Sequence, residues 1–153
     1  MISRLKQIFD GLAAAPEESK LADDALPMAA ACLLVESATM DGDFDDDERT
    51  VILNALEEHF GLSGEEGSAL IADAETQVAE SSQLYGFTRI IKDKMPFEER
   101  GKIIEMLWEV AYADGEIHDY EAALVRRVAG LIAVPDKESG LAKRRVREKL
   151  EQK

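Results

Sequence analysis

Cysteine is almost missing from this chain: its 153 residues hold one, Cys32. No disulfide can close within the sequence, and a reducing compartment suits it. Cys32 lies in the run Ala29-Ala30-Ala31-Cys32-Leu33-Leu34-Val35, where a small buried hydrophobe is the expected role. Aromatic residues make up 6%, too few to build a stacking platform for single-stranded nucleic acid. No apolar run approaches the roughly 20 residues of a membrane span. The opening residues Met1 to Asp10 contain no continuous apolar h-region, so a cytoplasmic location is expected. Positive charge is scarce, with 18 Lys/Arg against 32 Asp/Glu and a net charge of −14. That balance argues against nucleic acid as a partner and against anionic membrane surfaces. The sequence has no His-Glu-x-x-His, no Gly-x-Ser-x-Gly and no phosphate-cradling Gly-x-x-x-x-Gly-Lys. An enzyme is therefore not expected.

What the chain does have is helical periodicity. Hydrophobic residues reach 46% and charged residues 33%, the balance of a globular domain large enough to bury a core. Ile2, Leu5, Ile8, Phe9 and Leu12 predict a short amphipathic helix over 1–15, with Pro16 to Asp24 as a loop. From Pro27 to Met40 the sequence is apolar on nearly all sides, with Glu36 its one charge, which predicts a central buried helix. A helix follows from Glu48 to Phe60, ended by Gly61. Ser63 and Glu66 form a capping box for a surface helix to about Glu80. A short helix around Leu84 to Lys94 and a second buried helix over 97–113, opened by Pro96, come next. Another helix carries the stripe Leu124, Val125, Val128, Leu131 and Ile132. The last runs from 137 to about 151 and holds seven Lys/Arg against three acids over residues 137–153. No period-2 run bounded by turns predicts a strand. The expectation is an all-α, single-domain bundle of about seven to eight helices, with its core over about 26–135 and terminal helices at 1–15 and 137–151.

The organising feature is a repeat. Met40-Asp41-Gly42-Asp43-Phe44-Asp45-Asp46-Asp47-Glu48 returns as Ala113-Asp114-Gly115-Glu116-Ile117-His118-Asp119-Tyr120-Glu121. Aligned from Leu34 and Leu107, seven of fifteen positions are identical. The bundle is thus read as two helix–acidic turn–helix units, each too small to bury its central helix alone. Asp-Gly at a helix end permits a positive φ, and Asp45 with Glu48 has the form of a capping box, as does His118 with Glu121. Helix initiation by itself would account for these acids, each favourable by about 0.3–1 kcal/mol at the positive end of the dipole.

Three features point further. Glu48 and Glu121 start the apolar stripes of their helices instead of facing water. Asp41 and Asp114 close the two most apolar helices, where a carboxylate needs a partner. Arg49 is the one Lys or Arg between Lys20 and Arg89. Carboxylates with few ammonium or guanidinium groups suit a hard divalent cation. The spacing is not that of an EF-hand, since its sixth and twelfth positions would be Asp46 and Ile52 in place of Gly and Glu. Glu36 and Glu109 precede the aspartates by five residues and are expected either to pair with Arg or Lys of a neighbouring helix or to stand behind the metal ligands as their support. His59 is read as the border of its stripe and His118 as a cap.

An apolar helix ending in Ala-x-x-Asp-Gly-x-Φ-x-x-x-Glu, present twice, resembles the TerB-like domain, the family of the tellurite-resistance protein TerB. The resemblance spans roughly Leu26 to Pro135. It implies an all-helical fold of about seven helices, acidic positions that bind a divalent metal, and a loose link to stress response or metal sensing. Carried over by position, the implied ligands are Asp41, Glu48, Asp114 and Glu121, for Mg²⁺ or Ca²⁺. His118 departs from the Ser, Thr or Asp usual at that cap. Two readings stand: a metal-binding or sensing module, and a metal-free helical scaffold whose surface recruits a partner protein.

Overall fold

The computed structural model describes the backbone of residues 15–40, 44–80, 84–113, 115 and 117–151, and the side chains of those from Ala25 onward. The expected helix over 1–15 thus falls almost wholly outside the described residues. Seven α-helices are present, with no strand among the described residues: α1 (Ala15–Thr39), α2 (Asp46–Phe60), α3 (Gly64–Glu80), α4 (Leu84–Lys94), α5 (Gly101–Ala111), α6 (Asp119–Leu131) and α7 (Asp136–Glu151). A 3₁₀ turn, Phe97–Glu99, precedes α5. The helix expected over 97–113 is therefore shorter, its first turn tightened after Pro96.

Two helices carry the core. The apolar block of α1, Ala29 to Val35, is wholly buried, and so are Ile103, Ile104, Met106, Leu107 and Val110 of α5. α1 packs against α2, α3, α4 and α5, while α5 packs against α1, α2, α6 and α7. Small side chains at Ala29, Ala30, Ala31 and Cys32 let neighbours close on α1 from several sides, and the buried Cys32 thiol is pushed up to about 11. The segment Pro16 to Asp24, expected as a loop, is helical and continues α1 back to Ala15. Glu17, Glu18, Lys20, Leu21 and Ala22 are good helix formers, and Pro16 sits in the first turn, where its missing N–H costs nothing. Pro27 stands inside the helix, so the proline read as a boundary is not one.

The helix starts are built as the sequence predicts. The Glu48 N–H donates to Asp45 Oδ1 at 2.8 Å and the Asp45 N–H donates to Glu48 Oε1 at 3.5 Å. Ser63 and Glu66 repeat the exchange at 3.1 Å in both directions, and the Ser63 backbone and hydroxyl hold the Glu66 carboxyl below its usual range. Gly61 ends α2 at φ 67°, its N–H donating to Glu57 O at 2.9 Å.

Arg100 joins elements that the sequence keeps apart. Its guanidinium donates to Met95 O at 3.2 Å, Lys92 O at 3.0 Å and Ile132 O at 3.2 Å. These carbonyls close α4 and α6, where the dipoles favour a cation. A lysine keeps the charge but not the planar fork. Arg100→Lys is therefore expected to cost about 1–2 kcal/mol, measured by urea unfolding; an unchanged midpoint would show that these bonds are replaced by water at no cost.

Three members of the basic run of α7 reach back to the body, while Arg144 and Arg147 stay exposed. Arg145 Nε lies 3.4 Å from Glu105 Oε2, Lys149 Nζ lies 2.7 Å from Glu58 Oε2, and the Lys143 ammonium stands 5.1 Å from the centre of the Trp108 ring. Ser139, Ala142 and Val146 face the core. No helix among the described residues is long and apolar enough to cross a membrane.

Candidate metal centre

Each acidic turn follows a core helix and leads into a capped one. Of the four ligands expected from sequence, Asp41 and Asp114 lie outside the described residues, as do Gly42, Asp43 and Glu116. Gly115 adopts φ 86°, the left-handed backbone that the Asp-Gly pair was expected to supply. Glu48 and Glu121 occupy the same place in their helices, the third residue after the cap. Glu121 Oε1 accepts the His118 N–H at 3.2 Å, as Glu48 accepts that of Asp45. The two differ in depth. Glu48 is half-buried, whereas Glu121 is 6% exposed and is the one acid in the buried class among the described residues.

The Arg49 guanidinium nearby is already engaged. Arg49 makes a 2.7 Å ion pair with Glu75 of α3 and lies over the Phe44 ring, 4.6 Å from its centre; the Glu75 bond raises the guanidinium's affinity for its proton. His118 stacks on Tyr120, ring centres 5.3 Å apart and nearly parallel.

The relation of the two turns can be followed through α2 and α5. Near the end of α2, His59 Nε2 is 3.3 Å from Glu109 Oε1. Earlier in α2, Val51 and Asn54 line a cavity of about 260 Å³ with Tyr112 and Ala113, just after α5. Glu58 and Glu109 border the same cavity, so the residues just after α5 share it with α2. Glu48 lies one helical turn before Val51.

A family model described as Tellurite resistance protein TerB matches residues 27–144. The chain belongs to the TerB family. The match begins in α1, takes in both acidic turns with Glu48 and Glu121, and reaches into α7 as far as Arg144, beyond the Pro135 at which the sequence resemblance stops. No curated protein and no solved structure matches the chain.

Sequence reasoning missed one cluster. Glu109 meets His59 of α2 at 3.3 Å, a contact between helices that spacing does not encode, and His59, with 11% of its side chain exposed, lies at the edge of the buried face of α2. Among the described residues, Glu58, His59 and Glu109 bring three ligand atoms within 4.8 Å of one another. Glu36, the counterpart of Glu109 in the first copy, has its carboxyl pushed up by burial. The signal available was the matched pair of glutamates, Glu36 and Glu109, at the same place in the two repeats.

Proposed function

We propose that this TerB-family protein is a divalent-cation binding module, with Mg²⁺ or Ca²⁺ held by Asp41, Glu48, Asp114 and Glu121, and that it acts by binding and not by catalysis. The burial of Glu121 at the head of α6 is the observation that carries this reading. A carboxylate removed from water needs compensation, and a hard divalent cation is one source of it. Glu48 in the same register, and the cavity that α2 shares with the residues just after α5, support a shared ion. Occupancy would draw the acidic turns together and stiffen the ends of α1 and α5, a change that a partner protein can read, in a stress response of the tellurite-resistance kind.

A second reading rests on a specific observation, that both glutamates already serve as caps through Oε1. On that reading the turns only start helices, and the surface alone recruits the partner. Calorimetric titration with Mg²⁺ and Ca²⁺, with melting in cation and in chelator, separates the two. The module binds at least one ion and melts higher with it, and the Asp41→Asn, Asp114→Asn double variant loses both the heat and the shift. No heat and no shift up to millimolar cation would leave the scaffold.

A further inference from the structure

The geometry points to a second cation site, of different chemistry, at Glu58, His59 and Glu109: a site for a borderline transition metal of the Zn²⁺ class. It lies at the far end of α2 from Glu48 and does not depend on the reading of the acidic turns. The argument begins with donor type. An imidazole nitrogen beside two carboxylates selects Zn²⁺, Co²⁺ or Ni²⁺ over Mg²⁺ or Ca²⁺, which take oxygen. Three protein ligands with one position left for water is a familiar zinc arrangement.

Distance agrees with this. His59 Nε2 and Glu109 Oε1 are 3.3 Å apart, the separation of two atoms each about 2.0–2.1 Å from a shared tetrahedral ion. Glu58 brings a carboxylate oxygen within 4.8 Å of both. His59 and Glu109 are fixed on the packed faces of α2 and α5, their side chains 11% and 13% exposed, so two of the three donors are preorganised.

An ammonium already stands at this group, in an ion pair at the surface. The Lys149 ammonium of α7 lies 2.7 Å from Glu58 Oε2. Its proton is held more tightly through the bond to Glu58, against the cost of its burial, and with further attraction from Glu109 and Glu105. Lys149, Glu58 and Glu109 all border the cavity of about 260 Å³ that runs to Tyr112 and Ala113. That cavity gives an ion its path and a water its place. Entry of Zn²⁺ replaces the ammonium at Glu58 and so releases the last turn of α7. The metal and the C-terminal helix compete for one carboxylate.

The test uses the full chain, with Zn²⁺ titrated against a competing chelator dye and Co²⁺ read by its visible absorption. Wild type is expected to bind one equivalent. His59→Gln weakens binding at least about tenfold and abolishes the tetrahedral Co²⁺ bands, while His118→Gln, the other histidine, changes neither. Lys149→Met tightens binding about tenfold by removing the competitor, a gain that a misfolded variant cannot give. The Glu48→Gln, Glu121→Gln variant leaves Zn²⁺ affinity as it was. The proposal is overturned if wild type and Lys149→Met both fail to bind at millimolar Zn²⁺. It is equally overturned if His59→Gln binds as wild type does, or if affinity falls with the turn glutamates and not with His59.

Discussion

Replacing Trp108 with alanine is expected to lower the unfolding free energy by about 3–5 kcal/mol, the range for truncating a large buried aromatic. The ring is 5% exposed, and it sits on α5 at the contact with α7, so the lost volume opens between two helices instead of at an edge. Two further interactions go with it. The indole Nε1–H donates to Ser139 O at 3.2 Å, and Lys143 stands over the ring, a contact worth about 0.5–1 kcal/mol where it is exposed to water. Trp108→Phe keeps most of the buried area and loses the N–H, so it should cost less than half as much. Urea unfolding followed by far-ultraviolet circular dichroism is the measurement, because Trp108 is the sole tryptophan and its fluorescence disappears with it. A loss below about 1 kcal/mol in the alanine variant would mean that α7 is not anchored through this residue.

The helices were legible where a single face decides them. Asp45 with Glu48, Ser63 with Glu66 and Gly61 each act over three or four residues of chain, and all three do in the structure what their local chemistry dictates. α1 was misread at its start because proline was given the weight of a boundary, whereas Pro16 is in the first turn and Pro27 is carried within a helix whose Ala29–Val35 block is held by packing. Propensity is a local term, and tertiary burial outweighs it. The capping positions of Glu48 and Glu121 were legible from their register, whereas the deeper burial of Glu121 was not, since Glu48 in the same register is half-buried. The His59–Glu109 contact was not legible, since it needs the sense in which α2 crosses α5. That sense is set by how the apolar faces of both helices meet α1, and no spacing within either helix encodes it. The same holds for Lys149 at Glu58 and for Arg100 at Ile132: charge complementarity of the basic tail with the acidic body could be expected in sum, but not which ammonium meets which carboxylate.

Exchanging both turn glutamates for glutamine, Glu48→Gln with Glu121→Gln, is expected to abolish cation-dependent stabilisation while keeping both helix starts. A glutamine Oε1 still accepts the N–H of the cap residue, as the capping box allows either side chain. The helices lose only the charge–dipole contribution of about 0.3–1 kcal/mol each. In chelator that loss is offset by relief of repulsion among the carboxylates of the turns, so the melting temperature should stay within a few degrees of wild type. With cation the two proteins part. At a concentration one hundred times its dissociation constant, an ion that binds only the folded state adds about 2.7 kcal/mol, or roughly 5–10 °C for a chain of this length. The glutamine variant should show almost none of it, because a hard cation exchanges two anionic oxygens for two neutral ones. Alanine at the same positions removes cap and charge together, and so lowers stability in chelator as well. The contrast between glutamine and alanine is what separates a carboxylate that holds an ion from one that only begins a helix. If wild type melts at the same temperature in cation and in chelator, and the glutamine variant does too, the acids of the TerB turns serve the backbone alone.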